Sequence, residues 1–79
     1  SITAYQRQEA KEEEIATCYS ALAAFYRDHG EISQAVEACQ IALIMREKLV
    51  ESNESIQPLL EKTRTKLTDL TLLLQATNR

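Results

Sequence analysis

Few residues in this 79-residue chain have chemical reach: one histidine, His29, two cysteines, Cys18 and Cys39, and three consecutive acids, Glu12, Glu13 and Glu14. A nucleophilic site needs a thiol or hydroxyl beside a base, and His29 is the only imidazole. It adjoins the only glycine, Gly30, which marks it as an exposed turn residue. A closed structural zinc site takes four ligands, and one histidine with two cysteines falls short of that without carboxylates. Cys18 and Cys39 lie 21 residues apart with no second pair, which is no disulfide framework. They read as two buried thiols acting as small hydrophobes. Consecutive glutamates on a helix point in different directions, so Glu12, Glu13 and Glu14 are no catalytic dyad. Together with Glu9 and Lys11 they read as a solvated helix face. No glycine-rich phosphate loop occurs. The expectation is a protein that is not an enzyme and has no cofactor and no metal.

The elements that would hold these residues are helices. One glycine, one proline and no tryptophan, with alanine, leucine, glutamate, glutamine and lysine abundant, favour helix almost throughout. Strand alternation and Asn-Gly or Asp-Gly turns are missing. The spacing predicts three helices, about 3–28, 32–52 and 56–77. The first carries Ile15, Ala16, Tyr19, Leu22, Ala23 and Tyr26 on one face, after a lead-in where Ile2 and Tyr5 are isolated apolar residues. Gly30 should end it in the left-handed conformation. The second carries Ile32, Ala35, Val36, Cys39, Ala42, Leu43, Leu49 and Val50, with Ser33 as its expected cap. Ser52, Asn53 and Ser55 are the candidate caps of the third helix, and Pro58 fits only its first turn. The third helix holds Leu59, Leu60, Leu67, Leu70, Leu72, Leu73 and Leu74.

The net charge of −3, from 12 acids and 9 bases, excludes the basic footprint of a nucleic-acid binder. No run of eighteen apolar residues is present, so no membrane insertion is expected. Unpaired cysteines suit a reducing compartment, hence a cytoplasmic location. A chain of this size makes one small domain with a limited core, and its opening Ser reads as an excised piece of a longer protein.

The segment from Ile15 to Leu49 resembles a tetratricopeptide repeat (TPR), a two-helix unit with small residues where the helices touch. Tyr19 fills the bulky first-helix position, Leu22 the next, Ala23 the small position and Tyr26 the aromatic one. In the second helix Ala35 and Ala42 fill the small positions and Cys39 a packing position between them. Within that family the repeats of kinesin light chains and nephrocystin-like proteins look nearest, through Ile15-Ala16-Thr17, Gly30, Ala42-Leu43 and Arg46-Glu47-Lys48. Lys66 to Gln75 looks like the first helix of a following repeat. Two features depart from the pattern: Glu47 stands at the closing proline position, and Leu22 to Leu70 is 48 residues, longer than the subtype's spacing. Asp28-x-Gly30-x-Ile32-x-x-Ala35-Val36, with Cys39 and Ala42-Leu43, also resembles microtubule-interacting-and-transport (MIT) domains. Those are three-helix bundles that bind C-terminal motifs of ESCRT filament subunits between helices 2 and 3.

The TPR resemblance implies an all-α fold, an antiparallel hairpin plus a third helix that is a cap or the start of a next repeat. It implies a noncatalytic adaptor or scaffold segment that binds a peptide or partner helix in a groove lined by first helices. The matching positions are Thr17, Ser20, Ala24 and Arg27 on the first helix and Thr65, Thr68 and Gln75 on the third. Separately, Leu67, Leu70 and Leu74 suffice to pack the third helix, which leaves Leu72 and Leu73 as an apolar surplus. That surplus predicts a homodimer through helix 3, or a surface for a partner protein. Tyr5, Tyr19, Phe25 and Tyr26 read as packing residues. Arg46, Lys48, Lys62, Arg64 and Lys66 cluster near the helix 2–helix 3 junction, where they could attract an acidic peptide; they read rather as a solvated face paired with Glu47, Glu51 and Glu61.

Overall fold

The structure, a computed structural model, describes residues 2–77, with side-chain surroundings from Ala10 onward. It is all-α: α1 (Ile2–Asp28), α2 (Ile32–Ser52) and α3 (Gln57–Thr77), the last entered through a short 3₁₀ turn, Glu54–Ile56. The three helices match the expected ones to within a residue at each end.

Gly30 ends α1 as the sequence requires. Its φ is +78°, the left-handed region. The Gly30 N–H donates to the Arg27 carbonyl (3.1 Å) and the Glu31 N–H to the Tyr26 carbonyl (2.8 Å), the paired bonds of a Schellman motif. These bonds reverse the chain and set α2 antiparallel to α1. Ser33 does not cap α2: the cap position is Glu31, without a side-chain bond, and Ser33 lies inside the helix. The turn is tied from the α1 side, so no side-chain cap is needed there. Asn53 is the working cap at the next junction. Its side chain accepts from the Ser55 N–H (3.1 Å) and the Ser55 hydroxyl (2.6 Å). Pro58 is the second residue of α3, where its missing N–H breaks no helical bond.

The hairpin closes on small residues. Ala16 and Ala23 of α1 and Ala35, Ala38 and Ala42 of α2 are buried, with Tyr19 and Tyr26 packed against the same core. α3 then adds Leu60 and Leu70, with Leu67 and Leu74 at its edge. Both outer helices pack on α2, and α1 and α3 barely approach one another.

That layout revises several expectations about burial. Ile15 and Leu22 stay largely exposed, because a contact built on alanines is narrow and buries only the centre of the α1 face. With Cys18 and Phe25, also exposed, they form a stripe at spacings of three, four and three residues. Cys18 is therefore not a buried thiol, whereas Cys39 is fully buried. Phe25 is not a packing residue either. It stands exposed, its ring stacked on His29 at 4.2 Å. Tyr5 and Ile2 fall outside the residues whose side chains are described.

Candidate functional site

Because α1 and α3 each lean on α2 rather than on each other, a groove runs between them. Its two sections share Lys62 and Lys66. One, about 450 Å³, is bounded by Arg27 of α1 and by Lys62, Thr65, Lys66, Asp69, Leu70 and Leu73 of α3. The other, about 270 Å³, is bounded by Ser20 of α1, Arg46 of α2 and Leu59, Lys62, Thr63 and Lys66 of α3. Lys62 and Lys66 are one helical turn apart, so the pitch of α3 places both on this side. Four of the bounding side chains are cationic against one acid, Asp69, on a protein whose net charge is −3.

Arg46 is the unexpected member. Read from sequence as a solvated residue, it is only 5% exposed. Its Nη1 donates to Thr63 Oγ1 of α3 at 2.6 Å. Its Nη2 donates to Glu13 Oε1 and Thr17 Oγ1 of α1, each at 3.4 Å. One α2 side chain thus joins both outer helices. Thr63 in turn donates to the Leu59 carbonyl (2.8 Å), so its hydroxyl both accepts and donates. Glu13 is drawn out of the supposed solvated acidic run by this pairing. Neither charge is completely satisfied, since Arg46 Nε and Glu13 Oε2 are buried without partners. The remaining basic residues stay outside: Arg64 pairs with Glu61 at 3.2 Å, as expected, and Lys48 is exposed.

Cys39 reports the field at this place. Its thiol is buried and donates to the Thr63 carbonyl at 3.7 Å. Burial pushes its pKa up, while Lys66 and Arg46 pull it the other way.

Of the residues expected to line a groove, Ser20, Arg27 and Thr65 do so, and Leu73, expected instead as part of the apolar surplus, borders it as well. Thr17 touches the groove through its bond to Arg46. Ala24 is half-buried and does not border either section. Thr68, Leu72 and Gln75 do not border them either and are exposed on α3. Leu72 and Leu73 diverge by the turn of the helix. Leu73 faces the groove and also a cavity of about 650 Å³ at the turn end, with Gly30, Ile32, Leu74 and Thr77. Leu72, 58% exposed, is left alone on the outer side, so a dimer through helix 3 would rest there on one leucine.

Lys62, Lys66 and Arg46 belong to the basic cluster able to attract an acidic peptide but read as a solvated face rather than as groove lining, and Asp69 carried no signal. The four-residue step between the lysines was the available signal; for Arg46 none existed, because its burial depends on residues 17 and 33 positions away.

His29 lies at the C-terminal end of α1, with Nδ1 at 2.9 Å from the Phe25 carbonyl oxygen. Cys18 is eleven residues away along the same helix, about 16 Å. Among the described residues no three His, Cys, Asp or Glu side chains are placed to hold a metal ion, and no helix is long and apolar enough to cross a membrane. No family model, no curated protein and no solved structure matches this chain.

Proposed function

We propose that this chain is a noncatalytic protein-interaction module, an adaptor or scaffold segment that takes an extended peptide or partner helix in the groove between α1 and α3. The observation that carries this reading is the groove itself, an open channel flanked by two helices that both rest on a third. Its walls combine the small polar side chains Ser20 and Thr65 with apolar Leu59, Leu70 and Leu73, the mixture that lets a backbone approach and an apolar side chain anchor. The TPR-like arrangement of first helices supports the same placement. A domain of the MIT type would use the cleft between helices 2 and 3; the part that Ser20 and Arg27 of α1 take in lining the groove favours the first reading.

The test is selection from a displayed library of random 16-residue peptides, followed by amide chemical-shift mapping. Enriched peptides should shift Ser20, Arg27, Lys62, Thr65 and Lys66, and Ser20→Trp, which fills the groove, should abolish binding. Shifts confined to the outer sides of α2 and α3, or enrichment unaffected by Ser20→Trp, would refute the reading.

A further inference from the structure

The groove contains an ion pair that the fold leaves incomplete. Arg46 is buried, and one of its three nitrogens has no partner. Its carboxylate partner, Glu13, sits at the long distance of 3.4 Å with its second oxygen unpartnered. A guanidinium and a carboxylate that fit one another form two parallel bonds at about 2.7–2.9 Å. This pair forms one bond, and a poor one. Beside it Lys62 and Lys66 project cationic groups over the same section of groove with no carboxylate within ion-pairing distance among the described residues. The burial cost of the Arg46 charge is thus only partly offset by the residues the chain supplies.

We infer that Arg46 is the anion-recognition residue of the groove, that its partner is a carboxylate of an acidic peptide segment, and that Glu13 occupies the guanidinium as an internal stand-in until such a segment displaces it. The inference rests on the proposed groove function. Charge complementarity names the occupant: of the groove cations, Arg27 pairs with Asp28 at 3.7 Å and Arg46 poorly with Glu13, while Lys62 and Lys66 share the groove with Asp69 alone. A peptide fits better than a free anion because the cations are spread over both groove sections and are interleaved with Leu59, Leu70 and Leu73. When a ligand carboxylate takes Arg46, Glu13 turns outward into water, a rotation that a side chain already 27% exposed allows although its Oε2 starts buried. Glu13 therefore sets the affinity threshold: it holds Arg46 in place when the groove is empty and competes with weak ligands.

The experiment titrates the full chain with hexaglutamate, hexaglutamine and inorganic phosphate at low salt, read by amide shifts and by the Arg46 Nε–H signal. Wild type is compared with Glu13→Gln and with Lys62→Gln/Lys66→Gln. Hexaglutamate should shift Arg46 Nε–H and the Lys62–Lys66 amides, and hexaglutamine should not. Glu13→Gln should bind hexaglutamate about two- to fivefold tighter, since removing a partly exposed competing pair is worth up to about fivefold. The double lysine variant, altered only at the groove surface, should bind it more weakly. Groove binding of hexaglutamate with equal affinity in wild type and Glu13→Gln would overturn the stand-in role and leave the groove reading intact. Binding of hexaglutamine as tight as hexaglutamate would overturn the anion specificity but again not the groove. Phosphate that moves the same signals as strongly would overturn the peptide assignment in favour of a free-anion site. An absence of groove shifts with hexaglutamate overturns the inference, while the library selection judges the groove separately.

Discussion

Replacing Arg46 by residues that separate its stem from its head gives the most direct check on the central contact. Arg46→Ala removes both. The loss includes a 2.6 Å bond from a charged donor to Thr63, worth about 1.5–3 kcal/mol. It also includes two buried stem methylenes, Cγ and Cδ, at about 0.8 kcal/mol each, and the cavity that their removal leaves. Against these stands relief of a buried charge whose Nε has no partner, a penalty of about 1–3 kcal/mol. The net expectation is a loss of about 2–3 kcal/mol, the lost bond and the relief nearly cancelling and the stem remaining. Arg46→Met keeps a stem of similar length and discards only the head. Glu13, 27% exposed, can turn its carboxylate into water, and Thr63 keeps its bond to the Leu59 carbonyl. Met should therefore cost under about 1 kcal/mol, as replacing buried ionic groups by apolar ones often does. In a domain of this size 1 kcal/mol moves Tm by about 4–8 °C. Thermal denaturation followed by circular dichroism should then place Met within about 8 °C of wild type and Ala roughly 10–20 °C below it. If the two variants fall equally far, the head carries the stability, and the description of an incompletely satisfied ion pair is wrong.

Ala23, fully buried in the hairpin contact, should tolerate no enlargement, and Ala23→Leu should lose roughly 1–3 kcal/mol by overpacking, measured by urea denaturation. Gly30→Ala meets no neighbour within 4 Å but must hold φ at +78°, so it should cost about 1–2 kcal/mol from backbone strain alone; Gly30→Asn should lose less, and a smaller loss for Ala than for Asn would contradict the strain argument. Thiol labelling should modify exposed Cys18 fast and Cys39 only at the rate of opening. Because burial raises the Cys39 pKa, the unfolded thiol ionises first as pH rises; stability should be intact below about pH 8.5, the ordinary thiol value, and fall above it until the folded thiol also titrates. A stability that rises over that range would refute the assignment. If the chain self-associates in sedimentation equilibrium, Leu22→Glu should disrupt it more than Leu72→Glu, since the α1 stripe carries three large apolar residues and the outer side of α3 only Leu72.

The sequence by itself determined what local chemistry decides. Composition set the all-α class, Gly30 set the turn, and Asn53 and Pro58 set the start of α3, because backbone conformation and capping depend on residues a few positions apart. The small positions Ala16, Ala23, Ala35 and Ala42 were legible for the same reason: helical spacing puts them on one face each, and small residues mark close approach. The tertiary structure alone decided which side of each helix meets nothing. Ile15, Leu22 and Phe25 are as apolar as any core residue, yet they stay outside because α3 packs on α2 and, among the described residues, no element covers the far side of α1. Arg46 shows the converse. Its charge places it on the surface in any reading of the chain, and only the meeting of Glu13, Thr17 and Thr63 around it, from two other helices, supplies the bonds that let it be buried. The groove belongs to the same class of feature: its walls lie on α1 and α3, which barely touch, so its existence follows from how both pack on α2.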